Sequence, residues 1–435
     1  MDNLTIGFLG LGAGLILLLL RVQIGVALGL VSFIGIGVLL NMRAAWGMLT
    51  AVPFNFVGDW NLTAIPMFLL MGFIAAETGI SAGLFRAMRI LLSWLPGGLA
   101  VASVGACALL SAASGSSVAT SSAFARIATP EMLRYRYDAG LATGVIAASG
   151  TLGSLIPPSI LMVLYGYLAE VSIAKLFMAG FLPGLLSATM FIGMIVIRCS
   201  LNPGLAPAVS ESFSRRDFLD AAKEVWALPA IIVGVLVGIF VGLFSPTEAG
   251  AVGAALAIAL GAARRSLSWH SLYRSGLATL ASTAGIFMVV IGTTLLGKFM
   301  TLSGVPSYIA SSLLAFGSTD LIVIAMVAVL YLILGCFLDS IGILLLTMPI
   351  ILPVVREAGI EPIYFGILLV KLLEIGLVTP PVGLNVYIVK AALGDRVPLV
   401  SIFRGVSWFI AVDLITLALL VAFPVISLYL PSLMR

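Results

Sequence analysis

Four short polar segments interrupt a chain that is otherwise almost entirely apolar. "SAASGSSVAT" (Ser111 to Thr120) and "FLDSIG" (Phe337 to Gly342) each sit inside a long hydrophobic run, and "SGTLGSLIPPSI" (Ser149 to Ile160) and "LVTPPVGLN" (Leu377 to Asn385) each carry a Pro-Pro pair with glycine nearby. In the first, small residues let the backbone bend. Unwound carbonyls and the hydroxyls of Ser111, Ser114, Ser116, Ser117 and Thr120 around Gly115 can replace the water shell of a cation, while helix N-termini aimed at the bend favour an anionic group. In the second, Gly150, Gly153, Pro157 and Pro158 cannot sustain an α-helix, because each Pro removes a donor and clashes with the preceding turn. Backbone groups freed at membrane depth survive only against a cavity, a ligand or other protein. Asp339, between Leu338 and Ser340, is an acid in an apolar setting, costly unless paired or titrating and therefore functional by default. Thr379 and Asn385 offer further oxygen ligands or hydrogen bonds to a solute. Plainer roles compete for the same residues: close helix packing by small side chains, an ordinary proline kink, and an N-cap at Asp339.

The remaining ionisable residues in apolar stretches carry less. Glu248, in "FSPTEAG", is a functional candidate or simply a first-turn acid. Lys371 and Glu374 stand three apart on one helix face and neutralise each other, while Lys298, Glu77 and Asp413 are assigned to interfaces or structural contacts. His270 is the only histidine and falls in a basic loop, which nearly removes histidine-based catalysis and multi-histidine metal sites. Cys107, Cys199 and Cys336 are widely spaced and form neither a metal-ligand pattern nor a disulfide framework.

Positioning such segments requires a membrane. The chain has 435 residues, 61% hydrophobic and 9% charged, with mean hydropathy +1.23; a soluble domain carries about 25% charged residues. Spans of roughly 20 apolar residues are needed to cross the hydrocarbon, and the runs accommodate about ten, near 4–20, 22–40, 62–78, 138–168, 175–197, 225–244, 248–263, 276–298, 362–393 and 404–430. Continuous rather than alternating apolarity makes them helices, not barrel strands. The stretches 95–133 and 319–356, each broken near its middle, are predicted to be re-entrant hairpins whose tips meet near the membrane midplane. The N-terminus lacks a basic n-region and cleavage site, so 4–20 is expected to be retained as a first span. No basic cluster is dense enough for nucleic acid, and no cofactor is implied beyond a coupling ion.

The chain also repeats itself. Shifted by 223 positions, Pro130 falls on Pro353, Asp138 on Glu361, Pro157-Pro158 on Pro380-Pro381, and Ser116-Ser117 on Asp339-Ser340. Such repeats recur in secondary transporters. Arg86, Arg89, Arg126, Arg134 and Arg136 flank the first hairpin, and Arg198, Arg215, Arg216, Lys223, Arg264, Arg265 and Arg274 mark two more basic loops. The positive-inside rule puts all of these in the cytoplasm, with both termini outside. The expected fold is all-α and polytopic: a repeat over 1–200 with a cytoplasm-side hairpin, a connector over 201–223, and a second repeat over 224–435 with its hairpin entering from the other side. Five spans and one hairpin per half make the repeats inverted.

"SGSSVAT", "ASGTLGSLIPPSI", "SPTEAG", "TMPIILP" and "GLVTPPVGLN" resemble, in order and spacing over essentially the whole chain, the signature segments of the large membrane subunit of TRAP (tripartite ATP-independent periplasmic) transporters. The resemblance implies the ion-transporter superfamily fold, an elevator mechanism, sodium-driven uptake across the inner membrane, and an organic acid as solute: a C4-dicarboxylate, sialic acid or keto acid. It further implies a small four-helix membrane subunit, expected as a separate polypeptide, and a periplasmic substrate-binding protein. The implied sodium ligands are Ser111, Ser114, Gly115, Ser116, Ser117, Gly150, Gly153 and Pro157 in one site. In the other they are Leu338, Asp339, Ser340, Gly342, Val378, Thr379, Pro381 and Gly383. The solute would meet Ser116, Ser117, Thr120, Ser154, Pro158, Ser340, Thr379 and Asn385. One position departs: members often carry glycine before the Tyr-Asp that follows the first hairpin, and this chain has Arg136. Two other readings compete. A stand-alone sodium/anion symporter of the same superfamily would need no binding protein. An intramembrane serine hydrolase would need a general base near "ASGSS", which the sole, loop-borne histidine does not supply.

Overall fold

In a computed structural model, residues 2–78, 80–207, 214–316 and 319–434 are described; the middle of the connector, 208–213, lies outside them. The helices run, in chain order, α1 (Asn3–Leu19), α2 (Ile24–Leu39), α3 (Met42–Val57), α4 (Ala64–Glu77), α5 (Ile80–Leu92), α6 (Gly98–Ser114), α7 (Ser117–Arg134), α8 (Ala139–Leu155), α9 (Ile160–Ala169), α10 (Ile173–Leu201), α11 (Arg215–Val225), α12 (Ala227–Val241), α13 (Pro246–Ala263), α14 (Trp269–Ser303), α15 (Val305–Phe316), α16 (Asp320–Gly335), α17 (Ser340–Glu357), α18 (Pro362–Gly376), α19 (Leu384–Leu393), α20 (Leu399–Ala422) and α21 (Val425–Ser432). No strand occurs among the described residues.

Among the described residues seven helical stretches are long and apolar enough to cross a membrane, two of them joining neighbouring elements (Trp60–Glu77, and Ala139–Ala169 over α8 and α9), or eight if the bent pair spanning α11 and α12 is taken as one. About ten spans were expected. The shortfall has a physical source: α1 and α2 have 17 and 16 residues, or about 25 Å at 1.5 Å per residue, and the run 362–393 is split into α18 and α19 by the unwound segment 377–383. The run 404–430 is interrupted at Phe423 and Pro424, although α20 before the interruption is still one of the seven. Three helices lacked a sequence signal as spans. α3 contains Asn and Pro within a moderately apolar run, and α5 and α15 are short segments beside the hairpins.

Element boundaries recur with the 223-residue offset. Adding 223 to α7 gives 340–357, the bounds of α17, and the pairs α1/α12, α2/α13, α5/α15, α6/α16, α8/α18, α9/α19 and α10/α20 agree within three residues. The exception is instructive. α3 and α4, separated by a short 3-10 turn at Trp60–Thr63, correspond to the single 35-residue α14.

Acids at matched positions do the same local work. Asp138 accepts from the Leu141 amide at 2.9 Å to cap α8, and Glu361 accepts from the Tyr364 amide at 2.6 Å to cap α18. Caps of this kind satisfy donors that a helix start leaves open. The main core joins most of the helices around α6–α10 and α17–α20. A smaller one, including Leu28, Ile36, Leu296 and Phe299, binds α1–α3 to α14. α2 and α14 touch backbone to backbone: a Cβ on Gly25 would lie 2.4 Å from the Met288 carbonyl oxygen.

Arg136 ends α7 in the left-handed region, with φ +60. Its amide bonds the Leu133 carbonyl and the Tyr137 amide the Met132 carbonyl, a helix-terminating pattern usually built on glycine. A Cβ there costs about 1–2 kcal/mol, the physical reason glycine suits this position. Arg136→Gly is therefore expected to raise thermal stability in detergent by up to ~1 kcal/mol, read as an upward shift of the unfolding midpoint; a lowered midpoint would refute the strain argument.

Candidate functional site

The two hairpins are α6–α7 and α16–α17, and their tips are the segments Gly115–Ser116 and Cys336–Asp339. At the first tip Gly115 takes φ +58, and a Cβ on it would come within 3.0 Å of the Pro158 carbonyl oxygen. Ser116 accepts from the Ala119 amide at 3.4 Å to start α7. Ser114 and Ser111 both reach Thr120, at 3.0 and 3.4 Å, and Ser117 bonds the Ser154 hydroxyl at 2.7 Å. α8 can come this near only because of its glycines. A Cβ on Gly153 would lie 3.0 Å from the Ser116 carbonyl carbon, and one on Gly150 would lie 1.8 Å from the Ser121 hydroxyl. Near this break the buried hydroxyls of Ser121, Ser149 and Ser159 have no hydrogen-bond partner among the described residues. An unmet buried hydroxyl costs about 1–3 kcal/mol, so each of these oxygens has acceptor capacity that the described residues leave unused.

The second tip is built differently. Asp339 accepts from the Gly342 amide at 3.0 Å and caps α17. It is not a buried carboxylate as the apolar context predicted but an exposed one, because the helix start it caps opens onto a cavity. Leu338 is half-buried beside it, and the buried Ser340 hydroxyl has no partner. In the matched break, Val378 is buried, whereas Pro380, Pro381 and Val382 are exposed. Gly383 takes φ +59, the Asn385 amide reaches back to the Leu377 carbonyl at 3.0 Å, and the Thr379 hydroxyl donates to the Ile375 carbonyl at 2.6 Å. Asn385 crosses between the halves. Its Nδ2 donates to the Ala147 carbonyl of α8 at 3.2 Å, while its Oδ1 is buried and unpartnered. The Pro157-Pro158 and Pro380-Pro381 bonds are both cis.

The tips converge. Ser114, Ser116 and Ala119 of the first and Asp339, Ile341 and Gly342 of the second line one cavity of about 390 Å³, closed by Ile160 of α9, by Leu69–Ala76 of α4 and by Ala281–Val289 of α14. The N-termini of α7, α9 and α17 end there, so three sets of open amides and positive dipole ends border the space. Its far wall runs toward Glu77, which pairs with Arg274 at 3.5 Å at the arginine-rich end of the molecule. The other sequence-predicted solute contacts are not on its wall. Ser117, Thr120 and Ser154 lie behind the first tip, Ser117 and Ser154 bonded to each other and Thr120 to Ser111 and Ser114. Pro158 faces Gly115, and Ser340, Thr379 and Asn385 sit behind the second tip or in its break. Glu248 closes a capping box with Ser245, accepting from its amide at 2.8 Å, and lines neither this cavity nor the larger one beside α14; its geometry is that of a helix start.

Comparison with known proteins gives the same direction. The profile of the family described as "Tripartite ATP-independent periplasmic transporter, DctM component" matches residues 11–426. The chain belongs to this family. Among relatives, it is 35% identical over 378 residues to the C4-dicarboxylate TRAP transporter large permease protein DctM of Pseudomonas aeruginosa, covering 86% of each chain. It is 32% identical over 385 residues to the sialic acid TRAP transporter large permease protein SiaM of Vibrio cholerae, covering 87% of each. It is 32% identical over 427 residues to the isethionate TRAP transporter permease protein DctMQ of Oleidesulfovibrio alaskensis, covering 96% of this chain and 64% of that longer one. A solved structure of the Alcanivorax borkumensis YdaH transporter superposes with TM-score 0.63 at 14% identity, covering 89% of this chain and 90% of that one, a likeness of fold. As a TRAP large permease the chain is a multi-pass membrane transporter subunit.

Sequence reasoning paired Lys371 with Glu374 but missed the stronger partner. The Lys371 ammonium sits 2.6 Å from Asp413 on α20 and 3.6 Å from Glu374, donates to Ser187 of α10 at 3.1 Å, and lies over the Phe191 ring at 5.8 Å. Lys371, Glu374 and Asp413 are all fully buried. Three helices distant in sequence meet through this one ammonium, and 42 residues of separation concealed the Asp413 contact from any local pattern. Removing one member of a buried ion pair leaves an uncompensated charge at a cost of about 3–5 kcal/mol. Lys371→Met should therefore lower the yield of folded protein and the detergent unfolding midpoint sharply, and adding Asp413→Asn should recover part of the loss. A midpoint unmoved by Lys371→Met would show that the cluster does not hold α10, α18 and α20 together.

Proposed function

We propose that this TRAP large permease is the translocating subunit of a sodium-coupled, binding-protein-dependent symporter. It imports an organic acid of the C4-dicarboxylate, sialic acid or keto acid class by moving its hairpin tips against α4 and α14, as an elevator. The observation that carries the reading is the shared cavity: two hairpins that begin 222 residues apart (α6 at Gly98, α16 at Asp320) bring their tips to one space bordered by three helix N-termini.

Several features support the finer parts. Unpartnered buried oxygens cluster around the first break (Ser121, Ser149, Ser159) and around the second (Ser340, Asn385), and hydroxyl and carbonyl oxygens suit a hard monovalent cation. The cation's charge would in turn favour a carboxylate at the tips, where low dielectric strengthens the attraction. The 223-residue recurrence of helix boundaries supports two copies of one unit, inverted, since five arginines flank the first hairpin whereas the second carries only Arg356, at the end of α17. The arginine-rich end would then face the cytoplasm, and the tip cavity, extending toward that end, would be the inward-facing site. A small membrane subunit would brace α1–α4 and α12–α14, and a periplasmic binding protein would deliver solute from the opposite side.

The test is uptake into proteoliposomes holding the chain with its small subunit and a cognate binding protein, under an inward sodium gradient, with succinate, N-acetylneuraminate and a 2-keto acid as trial solutes. Uptake of one of these should depend on sodium, and Asp339→Ala should abolish it while leaving membrane expression intact. Normal sodium-dependent uptake by that variant would remove Asp339 from the mechanism. Full uptake without any binding protein would turn the reading to a stand-alone symporter.

A further inference from the structure

A second and larger cavity, about 1080 Å³, lies between α14 and the α9–α10 junction with α17, toward the end of α14 away from Arg274 and the arginine-rich loops. It shares no residue with the cavity at the hairpin tips. On α14 the tip cavity is lined by residues 281, 282, 285, 286 and 289, and the larger one by 293, 294, 297, 298, 301 and 302. The first five of the second set are the first set plus twelve. Twelve residues of helix are about 18 Å along the axis and a third of a turn around it. The α4 side gives a comparable displacement: the tip cavity touches Leu69 to Ala76, and the larger one touches Asp59 and Asn61 just before that helix.

Among the described residues one cation, Lys298, lines the larger cavity, and none of them forms an ion pair with it. Lys298 is exposed on α14, five residues before the helix ends, and no described residue forms an ion pair or hydrogen bond with it. The carboxylates that share the space are Asp59 and Glu170, at the ends of other segments. Asp59 already accepts from the Asn61 amide at 2.9 Å. A lysine set in an apolar helix and turned into a cavity reads as functional by default; with Asp59 and Glu170 also on the wall the lining is not positive as a whole, so what Lys298 offers an anion is a local contact.

We propose that this cavity is the second station of the transported organic acid, the position that the solute occupies on the side away from the arginine-rich loops, and that Lys298 is the residue its carboxylate meets there. The inference rests on the transport reading above and adds a site and a solute contact to it. The tips would reach this station by advancing about 18 Å along α14 with a turn around it.

Reactivity of a probe cysteine reads the charge directly. Thr301→Cys places a thiol one turn from Lys298, on the cavity wall. The native cysteines stay, since adducts are located by peptide mass. Whole cells producing the full chain are treated with the anionic reagent methanethiosulfonate ethylsulfonate or its cationic trimethylammonium counterpart, both impermeant. The thiol should react from outside, and the anionic-to-cationic rate ratio should fall by roughly threefold or more when Lys298→Gln is added, while Asp59→Asn should raise it. A ratio unmoved by Lys298→Gln, or reaction only from the cytoplasmic side in inverted vesicles, overturns the proposal. Where wild-type uptake is established, Lys298→Gln should raise KM about tenfold with little change in kcat, and Lys298→Arg should restore it; an unchanged KM overturns the solute contact. Should the wild-type chain carry none of the trial acids, the transport reading fails by itself, and the reagent ratio still decides whether Lys298 draws anions into the cavity.

Discussion

Every backbone amide and carbonyl at membrane depth must find a partner inside the protein, because lipid offers none. A chain that unwinds four times between apolar runs has therefore to bring each opened segment against something polar. The unwound parts are matched to one another and to helix starts. Pro158 turns its carbonyl to Gly115, Gly153 admits the Ser116 backbone, and Asn385 closes on Leu377 while reaching across to Ala147. The tips cannot lie elsewhere without stranding these groups, and the cavity between them follows from that placement.

Charge is handled with the same economy. Most acids in the apolar part of the chain are spent as caps: Asp138, Glu361 and Asp339 each accept from an amide in the first turn of a helix, and Glu248 does so through its capping box. This use keeps a carboxylate beside the positive end of a helix dipole, where it is favoured. The Lys371 cluster is the exception. It carries two carboxylates and one ammonium into a fully buried place between α10, α18 and α20, and it fixes the relative position of helices that hold the backs of both breaks.

The two halves are not used identically. Their helix boundaries agree closely, yet α3 and α4 are separated where α14 runs unbroken for 35 residues. The continuous α14 borders both cavities, and the break in its counterpart at Trp60–Thr63 supplies the polar residues Asp59 and Asn61 to the larger one. The second break is also the more exposed, with Pro380 to Val382 open while Pro157 and Pro158 are buried. The offset in sequence does not translate into equal environments, because each copy packs against a different set of neighbours.

The sequence by itself determined the membrane class, the helical class, the positions of both hairpin tips and both Pro-Pro breaks, and the 223-residue offset. These are local matters: apolar runs, glycine and proline placement, and repetition along one chain. The family resemblance also marked Arg136 as a departure, though not that the position is left-handed. Tertiary structure alone decided which oxygens are left unpartnered, that Asp339 is exposed at a cavity and not buried, and that Glu248 serves a helix start. It alone joined Lys371 to Asp413 and set Lys298 on the wall of a second cavity. Those outcomes depend on which helices meet and at what depth, and helices crossing at packing distance bring together residues that no spacing along the chain relates.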